Sequence, residues 1–257
     1  MTGPASFDLR QHDSRAAWPV PAGSVHLVCG SPPYFKADRA VVYDCYTYPP
    51  TLAGWAEDLA AVARQAYLAL ADGGRLVVNV ANTDRKPYLD LAGLVGATLA
   101  AEGFTLRGHI IWDKGPGVLG CAWGSYELAS APSLRDQHEY LIVGQKGDKL
   151  AVKGYAPRVF AHGDFQSLTA SYWRVNPASK TRDGHPAPWP LELARRLVRL
   201  YTAPGMTVLD PWAGCGATCE AALLEGCQAV GYDLSAAYLE LARVRTARAT
   251  SEDLCPL

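Results

Sequence analysis

Short apolar runs alternate along this chain with longer segments of helical period, and that alternation leaves few folds open. The runs are 25–29 (VHLVC), 75–80 (RLVVNV), 104–112 (FTLRGHIIW), 139–144 (EYLIVG), 206–210 (MTVLD) and 228–232 (QAVGY). Most are apolar throughout rather than at every second position, the mark of strands buried on both faces. Between them, Trp55, Leu59, Val62, Ala66 and Leu70 recur at helical spacing over 51–70, and ADGG then stops that helix. Further helices are predicted near 88–101, at 190–202 with Pro190 at the first position, up to about Leu224, and over 236–248. Strands alternating with helices predict an α/β fold: a mostly parallel sheet with helices on both faces.

The 257 residues are long for one domain and short for two, and 49% hydrophobic with 19% charged residues is ordinary for a soluble globular protein. No apolar run approaches the roughly 18–20 residues that cross a bilayer. The opening stretch MTGPASFDLRQHD lacks the regions of a signal peptide. The seven cysteines are scattered without CxxC pairs, and Cys215 and Cys219 have no His or second pair beside them. They read as free thiols in a reducing, cytoplasmic setting, with no metal site expected. His138-Glu139-Tyr140 lacks the second histidine that a metal site would need, and His138 reads as structural.

The glycine-rich turn in VLDPWAGCGATCEAA (208–222) lies between a strand and a helix, where open α/β sheets bind ligands. A dinucleotide fingerprint would need a third glycine where Cys219 stands, and Asp210 would repel a pyrophosphate. A P-loop would need a lysine that is absent. A ligand with a cationic end suits Asp210 better, while Gly214 and Gly216 let backbone approach an adenosine. Seventeen residues past Gly216, Asp233 ends the next strand, where a carboxylate can accept from two ribose hydroxyls. Together these suit S-adenosylmethionine. Locally, a plain strand–helix turn with a capping aspartate would read the same way.

The first strand runs directly into Gly30-Ser31-Pro32-Pro33-Tyr34-Phe35. Two prolines end the strand and leave the carbonyls of Ser31 and Pro32 without a ladder to join.

DPWAGCGAT together with SPPY, in this order, resembles the amino-group DNA methyltransferases. The catalytic motif precedes the cofactor motif, as in the circularly permuted β arrangement of that family. The opening FDLRQHDSRAAWPVPAGSVHLVCGSPPY, LALADGGRLVVNVAN and HPAPWPLELARRLV (185–198) are similar to family segments as well. The resemblance implies a Rossmann-like class I methyltransferase fold with a seven-stranded sheet. It divides the chain into a catalytic-motif half (1–143), a target-recognition insertion (144–184) and a cofactor half (185–257). S-adenosylmethionine is the implied cofactor, leaving as S-adenosylhomocysteine. The implied cofactor residues are Asp13 (at the adenine), Ser31, Pro32, His185, Pro186, Asp210, Pro211, Trp212, Ala213, Gly214, Cys215, Gly216, Ala217, Thr218 and Asp233. Trp212, Cys215 and Ala217 depart from the family's usual Phe, Ser and Thr. Pro188 and Trp189 replace common polar residues, and His26 stands where the family usually has Asp.

The catalytic turn is Ser31, Pro32, Pro33 and Tyr34. The Ser31 oxygen and the Pro32 carbonyl would accept the two hydrogens of an exocyclic amine and turn its lone pair toward the methyl group. The base would be flipped out of double-stranded DNA, with Tyr34 stacked on it and Phe35 lining the pocket. Serine at the first motif position goes mainly with N4-cytosine, aspartate mainly with N6-adenine. Cytosine N4 is therefore expected; the alternatives are adenine N6 in the same pocket, or a nucleic-acid-binding module without activity. A C5-cytosine mechanism would need a Pro-Cys dipeptide, which is absent.

Residues 144–182 carry seven cations (Lys146, Lys149, Lys153, Arg158, Arg174, Lys180, Arg182) against Asp148 and Asp164, although the whole chain has a net charge of −1. With Lys36 they are the expected phosphate contacts. The segment 35–50, with three tyrosines, is expected either to close over the flipped base or to pack. A cognate restriction endonuclease is the other partner the resemblance raises, and a monomer or homodimer is the expected assembly.

Overall fold

The structure is a computed structural model, and it describes residues 5–35, 45–82, 88–116, 124–134, 136–148, 152, 154–179 and 185–251. The chain opens with β1 (Phe7–Gln11) and β2 (Val25–Gly30), then α1 (Leu52–Ala69), β3 (Leu70–Val80), α2 (Leu91–Ala101), β4 (Thr105–Asp113) and β5 (His138–Gln145). It continues with α3 (His162–Thr169), β6 (Tyr172–Arg174), α4 (Leu191–Tyr201), β7 (Thr207–Asp210), α5 (Ala217–Leu224), β8 (Gln228–Asp233) and α6 (Ala236–Ser251).

The strands form one sheet in the order β1-β8-β7-β2-β3-β5-β4-β6. It has eight strands among the described residues where seven were expected. β1 and β6 are the strands that the hydrophobic pattern did not mark. In β1 only Leu9 is buried, and β6 is three residues long. β5 alone runs against its neighbours β3 and β4, and the other pairings are parallel. The sheet is thus mostly parallel, as expected.

Alternate residues of each strand feed two separate cores. Leu27 and Cys29 face Leu193, Leu197, Ala221 and Leu239 of α4, α5 and α6. Val25 and Val28 face Trp55, Leu59, Val62 and Leu91 of α1 and α2. Helix starts follow local chemistry: the Thr51 hydroxyl accepts the Gly54 N–H at 3.1 Å, and the Asp90 carboxylate accepts that of Gly93 at 2.9 Å. Pro190 is the residue before the first turn of α4 rather than within it. β3 starts at Leu70, as soon as α1 ends, and runs through the ADGG segment that was expected to be a plain turn. A register shift between Val25 and Leu27 absorbs the irregularity.

His26 has a structural role in this sheet. Its Nδ1 accepts the Thr207 N–H at 3.0 Å, tying β2 to the start of β7, and burial lowers its pKa.

Because β1, β2, β3, β7 and β8 are mutually parallel, their carboxyl ends share one edge. Gln11, Gly30, Val80, Asp210 and Asp233 all end there. Asp113 pairs with His138, the first residue of antiparallel β5, so the ends of β4 and β6 lie at this edge too.

Candidate active site

β2 and β7 are neighbours in the sheet, paired at Leu27↔Val208 and Val28↔Leu209. Gly30 and Asp210 therefore meet where the strands end. A Cβ on Gly30 would lie 2.3 Å from Asp210 Oδ1 and 3.2 Å from Trp212 Cε3, so only glycine leaves room for this carboxylate. Asp210 is 3% exposed, and its Oδ1 accepts the Trp212 N–H at 2.9 Å. Burial pushes its pKa up to about 7, against the lowering pull of the nearby Thr218 hydroxyl and the Trp212 N–H. An acid desolvated this far is poised for a cationic partner.

Asp233 ends the next strand. Its Oδ2 accepts the Gly214 N–H and its Oδ1 the Ser235 N–H, both at 2.8 Å. Burial raises its pKa as well. The glycine loop is thus fastened to this carboxylate. Gly214 and Gly216 take φ of 49° and 83°, the left-handed region that glycine adopts without strain. A Cβ on Gly216 would lie 2.8 Å from the Ala242 Cβ, so that glycine also lets α6 approach the start of α5.

The turn at Ser31–Tyr34 is pinned from α1, where Trp55 Nε1 donates to the Pro33 carbonyl at 2.7 Å. Among the described residues no hydrogen bond reaches the Pro32 carbonyl. Ser31 Oγ donates to the Tyr34 hydroxyl at 3.0 Å, which in turn donates to Glu139 Oε2 at 2.8 Å. Asn79 Nδ2 donates to both Tyr34 Oη and Glu139 Oε2, at 2.7 and 2.5 Å. Lys114 Nζ pairs with Glu139 Oε1. Antiparallel β5 makes this cluster, carrying Glu139 next to Asn79 of β3 on one side and to the end of β4 on the other.

These groups line one cavity of about 390 Å3. Of the residues expected from sequence, it collects Asp13, Ser31, Pro32, Pro33, Tyr34, His185, Asp210, Pro211, Trp212, Ala213, Gly214, Cys215, Ala217, Thr218 and Asp233. Pro186 and Gly216 lie outside the lining, and Phe35 packs against the core on the α1 side instead. Asp13 is ion-paired with Arg15 at 2.8 Å, and that contact lowers its pKa. Arg15 also reaches Asp58, which accepts from the Tyr46 hydroxyl at 2.7 Å. Tyr46 thus packs at the cavity wall, while 36–44, with Lys36, lie outside the described residues.

The expected phosphate contacts do not gather in one place. Lys146 Nζ donates to the Leu70 carbonyl at the amino end of β3, the edge opposite the cavity. Arg158 is held at that edge by Glu225, at the end of α5, with a 2.9 Å ion pair. Each of these two cations is bonded to a protein group away from the cavity. Arg174 ends β6 at the cavity edge, more than half exposed and 3.4 Å from Asp113. Lys149, Lys153, Lys180 and Arg182 lie outside the described residues.

Sequence reasoning missed Asn79, Lys114, Arg15, Trp189 and the role of Glu139, all of which line the cavity. Only their tertiary register brings them there. Cys29, Cys215, Cys219 and Cys227 are buried free thiols. No described helix is long and apolar enough to cross a membrane, and no described cluster could hold a metal ion.

The site can take an elongated ligand with a cationic group at Asp210 and hydroxyls at Asp233, beside a rigid pair of acceptors. His12 Nε2, Asn79 Oδ1 and Trp189 Nε1, buried in the lining, have no hydrogen-bond partner among the described residues, and Thr218 Oγ1 is buried beside Asp210. The chain is similar to known proteins along most of its length. The type II methyltransferase M.XycI of Xanthomonas campestris pv. cyanopsidis is 26% identical over 260 residues, covering 88% of this chain and 82% of that one. The DNA adenine methyltransferase YhdJ of Escherichia coli K12 is 24% identical over 243 residues, covering 86% and 76%. TTHA0409 of Thermus thermophilus, solved in complex with S-adenosyl-L-methionine, superposes with a TM-score of 0.76 at 27% identity, over 96% of this chain and 95% of that one. A family model described as DNA methylase, for N6 and N4 methyltransferases, matches residues 25–244, and the chain belongs to that family.

Proposed function

We propose that the chain transfers a methyl group from S-adenosylmethionine to the N4 amine of a cytosine flipped out of duplex DNA. The observation that carries the reading is the juxtaposition of two strand ends. Ser31 and Pro32 follow β2, and buried Asp210 ends β7 beside it, within one cavity. The residues fit this donor. Asp210 would take its ammonium and Asp233 its ribose hydroxyls, and Trp189 Nε1, without a partner among the described residues, is a donor for its carboxylate. When bound, the sulfonium supplies an activated methyl group. The chain supplies geometry: Ser31 Oγ and the Pro32 carbonyl accept the amine hydrogens, so the nitrogen lone pair leaves ring conjugation. Prolines hold that turn with no competing N–H. The methylated amine is then acidic enough to lose its proton without a strong base. The serine of the SPPY turn supports cytosine. The solved S-adenosyl-L-methionine complex of TTHA0409 supports the cofactor.

The likeness to an adenine methyltransferase favours a second reading, N6 of adenine in the same pocket. Incubation with unmethylated bacterial DNA and methyl-labelled cofactor, followed by nucleoside mass spectrometry, tests both. N4-methylcytosine is the expected product. N6-methyladenine would replace the base assignment, and no methylated nucleoside would refute the proposal. Ser31→Ala is expected to bind cofactor normally and to lose turnover.

A further inference from the structure

A serine hydroxyl can donate as well as accept, and at this site the difference matters. The reading of Ser31 as an acceptor for the target amine requires its proton to point elsewhere. If Ser31 donated to the amine nitrogen, it would occupy the lone pair that must attack the methyl group. Something has to fix the direction of that proton.

We propose that Glu139 is a positioning residue that holds Ser31 in its accepting state through Tyr34; this rests on the methyltransferase reading above. Glu139 is a carboxylate that can only accept, it is 7% exposed, and its charge is met by Lys114. Its Oε2 takes the Tyr34 O–H at 2.8 Å. With that proton committed, the Tyr34 oxygen can only accept, and it takes the Ser31 O–H at 3.0 Å. The Ser31 lone pairs are then left for the cavity. Asn79 reinforces the direction, since its Nδ2 donates to both Tyr34 Oη and Glu139 Oε2 and so closes the alternative in which Tyr34 would accept from neither. The amide orientation is itself dictated by the carboxylate, because an Asn79 oxygen facing Glu139 would be repelled. All three groups come from different strand ends, β2, β3 and β5, and only the antiparallel insertion of β5 between β3 and β4 brings the carboxylate there. The cluster orders protons before the substrate arrives, so no reorganisation is needed during transfer.

The test compares the wild type with Glu139→Gln, Tyr34→Phe and the double variant, in single-turnover methyl transfer to DNA. Each single change is expected to lower the transfer rate about 10- to 100-fold, with cofactor Kd, DNA affinity and melting temperature within about twofold or 2 °C of wild type. The double variant is expected to lose no more than the worse single one, because both changes break one chain. An active wild type with an undiminished Glu139→Gln rate would overturn the role of Glu139 alone. So would multiplicative losses, or a loss matched by a fallen melting temperature or cofactor affinity, which marks a merely structural contact. A wild type that yields no methylated nucleoside overturns the methyltransferase reading, and this inference with it.

Discussion

Asp210→Asn should make the protein more stable and useless to its cofactor at once. The wild-type carboxyl has its pKa pushed from 3.8 to about 7 by burial. A group whose folded pKa is raised contributes stability below its unfolded value and loses it as pH rises through the folded value. Here the loss runs from about pH 4 to pH 7, and three units at about 1.4 kcal/mol each amount to roughly 4 kcal/mol. The asparagine cannot ionise, so it escapes this penalty. It keeps the shape that Gly30 accommodates, its oxygen can still take the Trp212 N–H, and its amide can donate to the nearby Thr218 Oγ1. For a chain of this size about 4 kcal/mol corresponds to roughly 10 °C in Tm. The assay is thermal unfolding of both proteins without cofactor, from pH 4.5 to 8.5. The two should coincide near pH 4.5 and separate as pH rises, the variant melting higher at pH 8. Titration of His26 and His185, both lowered by burial, affects the two proteins alike and cancels in the difference. Added S-adenosylmethionine should raise Tm only in the wild type, and its Kd should weaken about 10- to 150-fold in the variant. A variant less stable than wild type at pH 8, or a difference that does not change with pH, would refute the reasoning.

Three further outcomes follow from the same geometry. Wild-type affinity for S-adenosylmethionine should be flat above pH 7 and fall by up to tenfold per unit below it, because the ammonium requires ionised Asp210; isothermal titration across pH 5.5–8.5 checks this. Gly30→Ala should cost about 1–3 kcal/mol in denaturant unfolding and weaken cofactor binding, since its Cβ would displace the Asp210 carboxylate. Arg158→Ala should destabilise by about 1–3 kcal/mol yet leave DNA affinity unchanged in a gel-shift or anisotropy titration, because this cation serves Glu225 at the far edge.

Much of this was legible in the residues alone. The fully apolar strands announced a doubly covered sheet, and Asp210, Asp233 and the Ser31 turn are each punctuated by glycine or proline beside a strand end. What could not be read has physical reasons. β1 buries one residue of five and so has almost no hydrophobic signal. EYLIVG reads the same whichever way the strand runs, yet its antiparallel direction decides that Glu139 sits beside Tyr34. Counting cations in 144–182 located charge without its partners. Glu225, which holds Arg158, is 67 residues further along the chain.

The sheet also sets when this protein can begin to exist during its own synthesis. β2 lies between β3 and β7, and among the described residues β1 has no partner but β8, whose register joins Phe7 to Ala229. The first strands to leave the ribosome must wait for nearly the last. Such long-range closure makes for slow folding and leaves unpaired edges exposed in the meantime. A ribosome stalled after β6 would release a chain that holds the Ser31 turn and the Glu139 cluster but neither Asp210 nor Asp233. On the proposed roles of Asp210 and Asp233, such incomplete chains bind no cofactor, and activity begins only once β7 and β8 have been made.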